Sequence, residues 1–387
     1  VNYNPAAPLT VNSAGRATIS GTGLSLAAVT NNNTAANALD FTSTNGTITL
    51  AGLSGAGNSR FRGGATINGT VSQGTVTIDG VGTLATLSGG TLALNGSSAS
   101  ITTLSGGRVN LANNVALTVQ NGTFADSITG NGTLTKTTAG KLTLAGSNSY
   151  SGATTVSAGT LAVDGSIASA VTVASGAILG GSGRIASNIG GDGLIAPGNS
   201  PGILQVDGQV IPTSLTAFAF EFTSTGNPNW ADATASVNDV LRLTNANPFQ
   251  SGLASTNIVN VYFDVASLTL GDIFKGGFYS DRTSGQLDFD AAIGSPTYAF
   301  YVYGNGGGTA TTYNSRPYFT LAEYIALNPS VTGVGTSVVT VQTANFANGT
   351  VTNGQVTQFV VVPEPATLAL AAVGIALGGW AAVRRRK

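Results

Sequence analysis

Residues 130–165 read GNGTLTKTTAGKLTLAGSNSYSGATTVSAGTLAVDG, and their cadence decides the fold. Short apolar runs alternate with Thr, Ser and Asn and are set off by glycines. The same pattern extends in both directions, with apolar runs at 76–78, 84–87, 92–94, 101–104, 109–111, 115–119, 142–144, 161–163 and 171–173. Each has the length and alternation of one short half-buried strand. Gly74, Gly82, Gly90, Gly106, Gly122, Gly130 and Gly146 all fall on one lattice of eight. A unit of eight cannot bury its own apolar side, so it has to stack on copies of itself. Three units would make one coil of about 24 residues in a parallel β-helix, with Val, Leu and Ile inside and glycine at the corners. The competing arrangement is an antiparallel meander or propeller. Asn45-Gly46, Asn68-Gly69, Asn95-Gly96, Asn121-Gly122 and Asn131-Gly132 are also strong hairpin signals.

Composition narrows the chemistry. The 387 residues include 54 glycines, 15 Lys+Arg and 16 Asp+Glu, and no His or Cys. That excludes Ser-His-Asp and Cys-His nucleophiles, imidazole-held metals, iron–sulfur clusters and disulfides. A charged fraction of 8 % lies far below the usual ~25 %, while Val, Ile, Leu and Thr are too abundant for disorder. A net charge of −1 and the lack of a Lys/Arg stripe with interleaved aromatics argue against nucleic acid as a partner. The sequence also lacks Met, which leads to the expectation of a longer precursor with a secretory signal.

Two segments resemble known families. The stretch 130–165, followed by VTVASGAILGGSGRI (171–185) and IAPGNSPGILQVDG (195–208), resembles the autotransporter-associated β-strand repeat. The resemblance implies a right-handed parallel β-helix in an exported bacterial protein. It is close over 130–208 and one of cadence only over 45–129. Autotransporters end in a membrane barrel of many strands of about ten residues, and the remaining stretch is too short for one, so a different export route is expected.

Aromatic residues divide the chain: 1–210 holds five, 211–362 holds 21 and 363–387 holds one. The expected organisation is an all-β chain with a β-helix over 1–210, a β-rich extension or cap over 211–362, and a C-terminal segment at 363–387. Within the middle part Phe218, Phe220 and Phe222 alternate on one strand face, and 240–243, 258–265, 298–303 and 358–362 are further strand candidates. Additional coils and a separate sandwich both fit. Either needs an end cap to cover open strand edges.

The last residues are VPEPATLALAAVGIALGGWAAVRRRK. Residues 366–383 are uncharged and mostly apolar, and as a helix would span about 27 Å, the short end of what a bilayer requires. Arg384, Arg385, Arg386 and Lys387 follow, which places the tail in the cytoplasm and the rest outside. Pro365 suits a first helical turn and holds Glu364 extended, leaving Pro363-Glu364-Pro365 as a stiff peptide at the membrane surface. The order of Pro-Glu-Pro, apolar span and terminal basic cluster resembles the PEP-CTERM sorting signal. The resemblance implies recognition by an exosortase, removal of the tail, and delivery to the cell surface or exopolysaccharide of a Gram-negative-type bacterium. Gly374 and Gly378 form a G-x-x-x-G that suits packing against another helix, such as that of the sorting enzyme.

The chemistry expected is non-enzymatic: a surface or matrix protein, structural or adhesive, with no cofactor and no metal. The alternative is a polysaccharide-degrading or polysaccharide-modifying β-helix enzyme using Asp288 and Asp290, which lie two apart on one strand face. Lys136, Lys141 and Arg184 read as solvated. Gly190-Gly191-Asp192-Gly193 is half of a calcium-binding nonapeptide, but it occurs once where such sites recur.

Overall fold

A computed structural model describes residues 6–362 apart from 13–14, 37, 44–45, 113, 200, 227, 229–230, 232–235, 266, 270, 282–292, 304–310, 314–315, 329–330, 332 and 347–348. The sequence-predicted membrane segment 366–383, the sorting residues around it and the pair Asp288 and Asp290 all lie outside the described residues. No helix among the described residues is long and apolar enough to cross a membrane.

The chain winds into a parallel β-solenoid of about 11 turns. Thr133–Lys136, Lys141–Leu144 and Ser147–Asn148 form three sides of one turn, and Thr154–Val156, Thr160–Val163 and Ser166–Ile167 lie on them in parallel register. Val171–Val173, Ile178–Gly181 and Arg184–Ile185 follow, then Ile189–Gly191, Leu194–Pro197 and Ile203–Val206. Among the described residues every ladder joining strands from Leu9–Val11 to Ile258–Phe263 is parallel, so Asn68-Gly69, Asn95-Gly96, Asn121-Gly122 and Asn131-Gly132 mark corners, not hairpins.

The first turns reach the 24 residues expected, at Ser25↔Thr49 and Val29↔Leu53, and most later ones are shorter. Register offsets such as Thr75↔Thr91, Leu117↔Leu134 and Leu142↔Leu161 are 16, 17 and 19 residues. Each side needs only a few residues, and the chain turns tightly over the carbonyls of the turn beneath. About two lattice steps therefore make a turn over most of the solenoid, and three at its start. Gly122 shows why the lattice is glycine: its φ is +136°, and a Cβ there would lie 2.0 Å from the Leu104 carbonyl oxygen. Gly181, with φ +103°, would bring a Cβ within 2.2 Å of the Val163 carbonyl.

Inside, side chains stack in columns. Leu26, Leu50, Ile67, Leu84, Ile101 and Val119 follow one another in register up one face, and Val156 and Val173 continue the column. Between Val119 and Val156 the column holds Lys136, which is fully buried. Its solvated reading is therefore corrected. Leu134 and Lys136 share the inward face of one strand, and the ammonium reaches a corner, where it donates to the Thr138 and Ala158 carbonyl oxygens, the latter at 3.1 Å. Burial pushes its pKa down.

Parallel stacking continues past residue 211. Ala217–Phe222 lies on Leu194–Pro197, Ile258–Phe263 on Ala217–Phe222, and Thr297–Tyr303 on Ile258–Phe263. The offsets lengthen to 37 at Val240↔Gly277 and 41 at Ala217↔Ile258. Aromatic rings fill these longer turns: Phe278 meets Phe218 and Phe220 edge-on at 5.0 and 5.1 Å, and Phe359 meets Phe222 at 5.3 Å.

The last turns are closed by antiparallel pairing. Ile273–Ser280 takes Gly349–Val362 along its edge, and that strand pairs with Gly333–Phe346. Thr297–Tyr303 takes Arg316–Thr320, followed by the helix Leu321–Leu327, whose capping box joins Thr320 and Glu323. Thr297–Tyr303 and Gly349–Val362 contain the expected strands 298–303 and 358–362, whereas Gly333–Phe346, Arg316–Thr320, the helix and Ile273–Ser280 were not expected from sequence, although T-L-A-E at 320–323 carries the capping-box pattern. Replacing Gly181 with Ala should destabilise the protein by about 1–3 kcal/mol, because both φ and the Val163 carbonyl oppose a side chain. Gly63→Ala, where the nearest atom to a new Cβ is 4.0 Å away, should change the melting temperature little; thermal denaturation of the two variants compares them.

Candidate functional site

The outward side of one sheet carries a trough. Ala162, Gly180 and Ala196 occupy the same outward position on three successive turns and make its floor. Thr160, Ile178 and Leu194, also in register, make one rim. The opposite wall is the segment Pro197, Gly198 and Asn199, which folds back over the strand end. Gly181 and Gly198 exchange backbone hydrogen bonds of 3.0 and 2.8 Å. The space enclosed is about 230 Å³. At its mouth the exposed Lys141 donates to Asn199 Oδ1 at 3.1 Å, and Asn199 donates to Asp164 Oδ1 at 2.6 Å.

The wall is braced from below by Asp239, which is fully buried. Its carboxylate accepts from the Gly202 N–H and the Glu221 N–H, both at 2.8 Å. Burial pushes its pKa well up, outweighing those two bonds. The position of Gly198 admits no side chain, since a Cβ there would lie 2.5 Å from Asp239 Oδ1. The stretch IAPGNSPG thus supplies floor, wall and brace contacts in eight residues.

Along the same face the trough runs toward a group of tyrosines. Ala196, Ala219, Tyr262 and Tyr318 form an apolar cluster separate from the main core, with Ile178, Leu194, Tyr301 and Tyr303 packed against it. Tyr262 and Tyr301 stack at 4.9 Å, Tyr318 meets Tyr262 edge-on at 5.1 Å, and the Arg316 guanidinium lies 5.4 Å from the Tyr303 ring centre. Tyr301 and Tyr303 are half-buried, and the buried Tyr318 hydroxyl has no hydrogen-bond partner among the described residues. The sequence contains these residues, but without the register nothing aligns them.

The described carboxylates are bound into the fold. Asp40 pairs with Arg16 and Arg62, Asp79 with Arg60, Asp207 with Arg184, Asp264 with Arg316 and Asp281 with Arg242. Burial would raise the pKa of Asp79, but hydrogen bonds from Arg60 and Asn95 outweigh it and hold that carboxyl below its usual range. Asp126 accepts from Gly107 N, Asp164 from Ser182 N and Asp272 from Thr269 N. Asp192, in the half-nonapeptide, accepts from Thr213 Oγ1 at 2.6 Å, while Ile189–Gly191 is an ordinary solenoid strand. Among the described residues no group of three or more acids is placed to hold a metal ion. Arg184 is exposed as expected, though paired with Asp207.

Residues 134–163 match the passenger-associated-transport-repeat, and residues 361–387 match the PEP-CTERM protein-sorting motif. The chain therefore carries both segments it resembles. The sorting motif implies an exported protein processed at the membrane by exosortase-type machinery. It begins inside the last strand, where Val362 pairs with Gly333. No curated protein matches the chain.

Two interior hydroxyls predict the alkaline limit of the fold. Burial pushes Tyr150 and Tyr262 up to about 12, with hydrogen bonds from Thr154 and Ser169 offsetting part of the effect at Tyr150. Both are neutral in either state below about pH 10, the ordinary tyrosine value. Between about pH 10 and 12 the unfolded chain ionises first, so stability should fall as pH rises. Melting temperatures measured across that range should show the fall, with a shallower slope for Tyr150→Phe.

Proposed function

We propose that the protein is a non-enzymatic structural and adhesive component of the bacterial cell surface or extracellular matrix, delivered by its C-terminal sorting signal. The observation that carries the proposal is the junction at residue 362: a capped solenoid runs directly into a matched sorting motif. In this reading Pro363, Glu364 and Pro365 are recognised by the processing enzyme. Residues 366–383 span the membrane until the tail is removed, Gly374 and Gly378 pack against a helix of that enzyme, and Arg384, Arg385, Arg386 and Lys387 hold the tail end inside. The released body associates with exopolysaccharide.

Support for a non-catalytic role comes from the carboxylates. The acids described above hold cations, backbone N–H groups or hydroxyls that the fold itself presents, and Asp239 braces a loop with both oxygens. General acid–base chemistry on a sugar chain needs a pair of carboxyls facing the substrate.

Two measurements test the reading. Replacing Pro363 and Pro365 with Ala should leave the tail attached and the protein in the membrane fraction; normal trimming and surface delivery would defeat the sorting assignment. Light scattering from the producer's exopolysaccharide should show rising apparent mass when the exported protein is added. A progressive fall would mean chain cleavage and establish the enzyme instead, and Asp288→Asn and Asp290→Asn would then be the variants to assay.

A further inference from the structure

We propose that the trough and the tyrosine group form one track for an extended, uncharged glycan chain running along the solenoid axis. The inference rests on the matrix reading and gives it a site. From the turn of Lys141–Leu144 to that of Thr297–Tyr303 the face crosses six strand-to-strand steps, or roughly 29 Å at about 4.8 Å per step. Its floor repeats a small residue over three turns, at Ala162, Gly180 and Ala196, which suits a polymer with a repeating unit.

Three properties select a glycan. First, the floor strands lie inside a parallel ladder and hydrogen-bond to the turns above and below, so an extended peptide has no free strand edge to extend. Second, the cations along the track are compensated: Arg316 pairs with Asp264, Asn199 links Lys141 to Asp164, and Glu221, in register with Tyr262, adds a further acid. A polyanion would find no net attraction. Third, the surface combines ring faces at Tyr301 and Tyr303 with amide and ammonium donors at Asn199 and Lys141. Pyranose rings present apolar C–H faces and equatorial hydroxyls, and this pairing of aromatic face with polar rim matches both. The small floor of Ala162, Gly180 and Ala196 lets the chain lie close to the backbone.

Affinity electrophoresis of the exported protein tests the track. The gels contain the producer's purified exopolysaccharide or, separately, soluble neutral β-linked glucan, mannan or fully N-acetylated chitin derivatives. Retardation by at least one uncharged polymer is expected, unchanged when ionic strength rises to about 1 M, where charges are screened within about 3 Å. Tyr301→Leu combined with Lys141→Ala should weaken binding roughly tenfold or more. Tyr301→Phe, which keeps the ring, should bind as the parent does, and so should Arg108→Ala on another face. Circular dichroism matching the parent's excludes misfolding as the cause. No retardation in any gel, equal losses for Tyr301→Phe and Tyr301→Leu, or binding abolished by salt would overturn the track. Surface delivery with tail removal but no retardation would defeat the track and leave the sorting assignment standing, whereas a protein retained with its tail would defeat that assignment.

Discussion

Every turn of the solenoid must lay its backbone in hydrogen-bonding register on the turn beneath, and that constraint organises the rest of the structure. Strands about 4.8 Å apart leave no room for side chains where the path bends inward over a carbonyl. Gly90, Gly122, Gly130 and Gly146 sit at such points, each with a would-be Cβ within 2.2 Å of a carbonyl oxygen in the preceding turn. The glycines in turn set how far the chain travels before it stacks again. Side chains that point inward then fall into columns, so one face of Leu, Ile and Val serves many turns without any residue needing a distant partner. Lys136 tests the limit of this arrangement. Its stem occupies a column position like any aliphatic residue, and its ammonium is accommodated because a corner offers two carbonyl oxygens.

The change in aromatic content near residue 211 follows from the same geometry. Narrow turns of 16 to 24 residues are filled mostly by aliphatics, and Phe41 and Phe61 enter as a stacked pair 4.5 Å apart. Where the offset doubles, the interior is filled by phenylalanines meeting edge to face. The longer turns also carry the strands that fold back antiparallel and cover the final edges. Cap and aromatic core thus belong to one change, from repeating turns to turns with individual partners.

The difference between these regions explains what could be read from sequence. Over 130–208 alternation, glycine spacing and a family resemblance agree, and a parallel solenoid results. Turn length was less legible, because the glycine lattice records corners without saying how many corners close a turn. Lys136 was misread by residue type although its place two after Leu134 puts both on one strand face. In 211–362 the pattern is local to each strand: Phe218, Phe220 and Phe222 announce theirs, whereas Ile273–Ser280 is interrupted by Gly276-Gly277, and its edge is taken by Gly349–Val362, far later in the chain. The trough is harder still to read, since Ala162, Gly180 and Ala196 are unremarkable until register brings them into line. The sorting residues stand apart, because their signal is linear and needs no fold.

The pairing of charges bears on how such a surface meets its surroundings. With 15 cationic and 16 acidic side chains in the whole sequence, and most described ones paired or hydrogen-bonded within the fold, little long-range field remains to steer a charged partner. Association then depends on contact: ring faces, amides and hydroxyls that act only at short range and survive salt. Individual contacts of that kind are weak, and a solenoid compensates by repetition, presenting similar outward positions turn after turn to a partner that is itself repetitive. A polymer lying along the axis can therefore gain affinity with each turn it crosses without any single contact being strong.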